Sequence, residues 1–208
     1  MTDSSTRSSR KPPDRHRRRW LTGALATGLV TGLGLVPGAA RAAEAEIRNV
    51  ALLPSDDQYI LTADVVAELT PLLADVVGRG VSLYFITEFE LTAPRWYWLD
   101  EEVVTRTLTY RLSYQSLTRQ YRLTTGALHQ NFTSLDEAMR TMLRIRNWGI
   151  ADKAALKAGR SYNAALRFRL DVGELPKPLQ VSALGRKDWN LASDWYRWSF
   201  VAGARDSK

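Results

Sequence analysis

The sequence predicts an α+β domain, mainly antiparallel β, with a sandwich-like sheet and one main helix (about 134–148), a shorter helix (about 70–78) and a preceding N-terminal signal helix. Three observations predict it. Four segments alternate apolar and polar side chains with the period of two that gives a strand one buried face. One stretch, Leu135 to Trp148, keeps helical spacing behind a capping residue, and an uncharged run from Trp20 to Ala40 follows an arginine-rich start. One solvated face per strand points to antiparallel pairing, because parallel sheets covered on both sides read as continuous apolar runs.

In chain order, residues 1–42 come first and read as an export signal. Arg17, Arg18, Trp20 and Leu21 follow the twin-arginine pattern, with Trp20 where phenylalanine is usual, and the apolar run behind them is diluted by Gly23, Gly28, Gly32 and Gly34. Ala40 and Ala42 form the small-residue pair of a cleavage site after Ala42, leaving residues 43–208 as one globular domain. The alternatives are the general secretory route, or an uncleaved segment that anchors the chain in the inner membrane and makes its only membrane contact. The expected location is the periplasm of a Gram-negative bacterium. The whole chain carries a formal net charge of +7, but eight of its 29 basic and two of its 22 acidic residues lie in the signal, so the remainder is near +1 and no nucleic-acid partner is expected.

Within the domain, Ile47–Leu53 and Tyr59–Val66 are strand candidates, and Thr70-Pro71 opens the short helix with a capping hydroxyl and a proline at its first position. Val81, Leu83, Phe85, Phe89 and Leu91 share one strand face against Ser82, Glu88 and Glu90. Leu108, Tyr110, Leu112 and Tyr114 form the next, then Leu117 to Leu123, in which Arg119 breaks the apolar parity. Ser134 and Glu137 have the spacing of a capping box for the main helix, whose apolar face is Leu135, Ala138, Met139, Met142 and Ile145, with Gly149 as its stop. Tyr162 to Val172 alternates most cleanly. Leu175-Pro176-Lys177-Pro178-Leu179 reads as an extended connector, and Asp194 to Val201 as a last strand.

Chemistry is sparse. The chain has no cysteine, and its two histidines are His16, in the signal, and His129, in a polar hairpin, so thiolate chemistry, zinc fingers and two-histidine metal sites are excluded and no cofactor or metal is expected. Asp100, Glu101 and Glu102 follow Trp96-Tyr97-Trp98, and carboxylates beside aromatic platforms admit one catalytic alternative, hydrolysis of an envelope polymer. Against it, adjacent acids in a strand point to opposite faces. The main reading is a non-catalytic binding or interaction module. Its candidate surface combines Arg95, Trp96, Trp98, Arg111, Arg119, Trp195 and Arg197, and its partner is an envelope membrane protein or an anionic envelope component. Charge is unevenly placed: residues 43–94 hold two basic and nine acidic residues, and 95–169 thirteen basic and six acidic, so Glu88 and Glu90 have Arg111, Arg122, Arg167 and Arg169 as available cross-strand partners.

Five stretches carry a resemblance: Gly80-Val81-Ser82-Leu83-Tyr84-Phe85; Arg95-Trp96-Tyr97-Trp98 with Asp100; Arg111-Leu112-Ser113-Tyr114 through Gln120-Tyr121; Arg146-Asn147-Trp148; and Leu170-Asp171 through Gln180. Together they resemble a bacterial family of exported proteins described as domain of unknown function 4390, also called proline-rich signal peptide proteins, over nearly all of residues 45–201. The resemblance implies an envelope location and genes near two-component sensor kinases; it implies no catalytic residue.

Overall fold

The computed structural model describes residues 44–203 except Trp98; the expected signal helix, its Arg17, Arg18, Trp20 and Leu21, and the cleavage pair Ala40 and Ala42 lie outside the described residues. Ten strands build one curled sheet: β1 (Glu44–Ser55), β2 (Gln58–Val66), β3 (Leu83–Ala93), β4 (Glu101–Gln115), β5 (Gln120–Thr125), β6 (Leu128–Phe132), β7 (Arg144–Asp152), β8 (Ser161–Leu170), β9 (Ala192–Ser193) and β10 (Tyr196–Val201). Their order is β6-β5-β4-β3-β8-β9-β1-β2-β7, with β10 beside β8 on the side of β9. Every pairing is antiparallel except β1 with β9. The expectation of a mainly antiparallel α+β domain holds, but the strands follow one path curled into a half-barrel in place of a two-layered sandwich. The curl brings β7 back beside β4, where Arg106 Nε donates to the Ile150 carbonyl at 2.9 Å.

The alternation read in the sequence sets which face turns inward. Leu83, Phe85, Phe89 and Leu91 of β3 and Tyr162, Ala164, Leu166 and Phe168 of β8 are buried inside the curl, with the Phe85 and Phe168 rings stacked at 5.7 Å. At roughly 2 kcal/mol for each large apolar side chain removed from water, this shared face is the main stabilising element. Among the described residues three helices add side chains to the same buried cluster: α1 (Pro71–Gly78), α2 (Leu135–Met142) and α3 (Lys177–Ala183). In α1 the Thr70 hydroxyl accepts from the Leu73 N–H at 3.2 Å and donates to the Asp188 carbonyl at 2.8 Å, as a capping residue with Pro71 behind it should.

Four expectations need correction. The main helix stops at Met142, with Leu143 as its C-cap, and Arg144–Asp152 is strand β7, paired with β2. Ile145 satisfies helical spacing from Met142, yet it also fits the inward face of a strand, and pairing with β2 decides between them. The Ser134 hydroxyl does accept from the Glu137 N–H at 3.2 Å, but Glu137 reaches Thr133 Oγ1 at 2.9 Å and not the capping residue. The strand expected from Leu117 begins at Gln120: residues 116–119 are a turn, Arg119 is left-handed with φ 53°, and Leu117 is fully exposed. The broken parity at Arg119 thus marks a turn. The proline-containing connector holds a helix, α3, because Pro178 sits in a first turn where no N–H is required.

Asn49 and Asn147 are both left-handed, with φ of 51° and 53°, and each sits where the register shifts beside β2. Between them lies Asp64, which accepts from Asn49 Nδ2 at 3.0 Å and pairs with Arg146. Arg146 also donates to the carbonyls of Ala63 and Ile145, both at 2.8 Å. The Arg146-Asn147-Trp148 stretch is therefore a strand bulge that lets Trp148 turn in against Phe89, with ring centroids 6.5 Å apart.

Candidate functional site

Pro94 ends β3, since it has no N–H for the ladder, and β4 resumes at Glu101. The intervening loop is clamped at its base. Arg95 pairs with Glu101 at 2.8 Å, and Asp100 accepts from Asn163 Nδ2 of β8 at 3.1 Å and from Thr92 Oγ1 at 3.5 Å. Between the clamps, Trp96 is 94% exposed, Tyr97 lies edge-on to it at 5.1 Å and Leu99 is 80% exposed. Trp98 lies outside the described residues. Three large apolar side chains held in water by a tethered loop are unusual, because folding alone gives no reason to keep them out.

Beside this loop the outer face of the sheet dips over Ala165, forming an open cleft of about 440 Å³ lined by Glu90, Thr92, Asp100, Asn163, Arg197 and Ser199. The register explains the grouping. Glu90 faces Ala165 across β3 and β8, and Ala165 faces Arg197 across β8 and β10, so the small residue leaves a gap between a carboxylate and a guanidinium. Farther along the same face Trp195 lies between two cations, Arg167 and Arg197, each 5.8 Å from its ring. Trp198 alternates with Arg197 along β10 and packs on Phe89, with centroids 6.1 Å apart, so it is a half-buried ring that joins the edge of the cleft to the core.

Of the residues expected to form one surface, the structure brings together only some. Arg95 and Trp96 stand on the loop at one end of the sheet, and Trp195 and Arg197 lie on the adjoining outer face. Arg119 is in the turn at the other end of β4, whose 15 residues put it roughly 45 Å from the loop along the strand at about 3.3 Å per step. Arg111 sits near that far end, donating to Ser82 Oγ at 3.1 Å with its guanidinium 5.9 Å from the Tyr84 ring. The opposite charges meet at one of the anticipated crossings: Arg169 holds Glu88 with both Nε and Nη2, the closest approach being 2.9 Å. Arg122 donates to Asn131 instead, and Arg167 leans on Trp195. Leu99 and Asn163 join the site beyond the expected residues, as do Tyr97, expected only as part of an aromatic platform, and Glu90, expected only as a partner for strand arginines. Leu99 directly after the aromatic run, and Asn163 on the polar parity of β8, were the available signals.

The acids of this region differ in their surroundings. The hydrogen bond from Arg95 holds the Glu101 carboxyl below the usual carboxylate range, with the Arg160 and Lys157 charges adding to it. That is the opposite of what a proton-donating acid near neutral pH requires. Among the described residues no three His, Cys, Asp or Glu side chains gather in a metal-binding arrangement, and no helix is long and apolar enough to cross a membrane.

No curated protein and no solved structure matches the chain. Residues 42–199 match the family model described as Domain of unknown function (DUF4390), a span that takes in every strand but the last two residues of β10 and all three helices. The matched span includes the tethered aromatic loop, the double bulge around Asp64 and the cleft, and the chain belongs to the DUF4390 family.

Proposed function

We propose that the chain is exported to the periplasm by its N-terminal segment and acts there as a non-catalytic binding module for an envelope membrane protein, using the β3–β4 loop as its anchor. The observation that carries the reading is Trp96, 94% exposed against Tyr97 on a loop pinned at both ends. A rigid aromatic tip loses little conformational freedom on binding, and Trp, Tyr and Arg carry most of the energy in protein interfaces. A protein partner suits the site better than an anionic polymer. The adjoining cleft presents Glu90 and Asp100 beside its single Arg197, while Arg95 is already paired with Glu101.

A photo-crosslinking residue at position 96, with another at the equally exposed Leu117 as control, tests this in intact cells. The expected result is one discrete adduct with a membrane protein from position 96, none from 117, and loss of the adduct in Tyr97→Ala at unchanged melting temperature. Arg17→Lys with Arg18→Lys abolishes the adduct by keeping the chain out of the periplasm. Equal labelling from both positions, or an adduct that survives Tyr97→Ala, overturns the reading.

A further inference from the structure

The two ends of the sheet are finished differently. At β7 the edge is met by Arg106, whose Nε donates to the Ile150 carbonyl. At the other end β6 pairs with β5 alone, and among the described residues no strand lies on its outer side. Natural sheets guard such edges with charged side chains, proline or a bulge. Here Leu123 to Leu135 contains no Asp, Glu, Lys, Arg or Pro, the β5–β6 register is unbroken, and Leu128 is 75% exposed.

The hairpin fixes which backbone groups point outward. Thr125 faces Leu128 across the two-residue turn Gly126-Ala127, in which Gly126 at φ 55° takes the first central position that a type II′ turn reserves for glycine. The closing pair of such a hairpin exchanges both of its backbone bonds, and bonded pairs then alternate with unbonded ones. Leu128, Gln130 and Phe132 therefore bond to β5, while the N–H and C=O groups of His129 and Asn131 face away from it.

We propose that β6 is a self-pairing edge, at which two copies of the chain join antiparallel about a two-fold axis through Gln130. This goes beyond the binding role of the β3–β4 loop and does not depend on it. The register is self-consistent. His129 and the partner's Asn131 exchange two backbone bonds, the symmetry-related pair exchanges two more, and Gln130 faces the partner's Gln130 as the unbonded pair on the axis. On the inner face Leu128 meets the partner's Phe132, an apolar cross-strand pair that covers the exposed leucine. No charged side chain opposes another. An edge of five residues buries little surface, so the dimer belongs to the weak, reversible class.

Because the chain has no cysteine, Gln130→Cys introduces its only thiol. The Cα atoms of an unbonded antiparallel pair lie about 4.5 Å apart, within the range that a disulfide spans. Mild oxidation of the purified full-length Gln130→Cys chain is expected to give a covalent dimer, whereas Leu117→Cys at the same concentration gives none. Sedimentation equilibrium supplies the second reading. His129→Glu with Asn131→Glu sets like charges opposite each other and weakens association about tenfold. His129→Lys with Asn131→Glu changes the same two positions, sets opposite charges together and restores it. A chain that sediments as a monomer at every concentration overturns the proposal. So does equal oxidation at positions 117 and 130, or equal weakening by the two double variants, which would mean that an extended segment of another protein or of the chain itself occupies the edge.

Discussion

Thr87 stands on the inward parity of β3 between Phe85 and Phe89, is fully buried, and its hydroxyl has no hydrogen-bond partner among the described residues. A buried hydroxyl left unpaired costs about 1–3 kcal/mol, and valine keeps its β-branched shape. Thr87→Val is therefore expected to stabilise the domain by about 1 kcal/mol, read as a higher urea midpoint at unchanged slope. At this scale the sequence was legible for burial and much less so for partners. Alternation placed Phe85, Phe89 and Leu166 inside the curl correctly, whereas the partners of Arg111 and Arg122 turned out to be Ser82 and Asn131. Periodicity reports a side chain's face, and a partner depends on which strand lies alongside.

Among the elements, the least legible boundary was that between α2 and β7. Leu135, Ala138, Met139 and Met142 line one helical face, and Ile145 continues that spacing by coincidence, because three residues past Met142 is also an inward strand position beside β2. The bulge at Asn147 hid the strand further by shifting its parity between Ile145 and Trp148. That bulge yields a prediction. A left-handed backbone costs an ordinary residue roughly 1–2 kcal/mol, less for asparagine and nothing for glycine. Asn147→Ala is expected to lose about 1 kcal/mol in chemical unfolding while Asn147→Gly stays within about 0.5 kcal/mol of the parent. Equal effects would mean that the asparagine side chain, and not its backbone angle, is what the bulge requires.

For the whole molecule, the strand order explains the charge pattern. The acidic stretch 43–94 forms β1 to β3, the basic stretch 95–169 forms β4 to β8, and the sheet interleaves them by placing β3 between β4 and β8 and β7 beside β2. Glu88 thereby meets Arg169, and Asp64 meets Arg146. The sequence displayed both charge runs but not their adjacency, which arises from pairings far apart along the chain. Among the described residues three carboxyls are held below their usual range: Glu46 by its hydrogen bond with Arg48, Asp64 by Asn49 and then Arg146, and Glu101 by Arg95. A depressed carboxyl contributes stability that is complete above its unfolded value, about 4, and is lost as pH falls through the folded value. The melting temperature is expected to hold from pH 7 to about 5 and to fall below about 4, less steeply in Asp64→Asn and in high salt because the groups are exposed. A flat acid limb in the parent would show that these pairs do not couple to folding. The same interleaving has a temporal side. β1 lies between β2, its successor in the chain, and β9, whose Ala192 and Ser193 are among the last residues of the domain to be made. Until residue 193 has left the ribosome, the sheet stays open beside its first strand. Closure of the fold is thus a late event of high contact order, set by delivery of the C-terminal end and not by the first strands to appear.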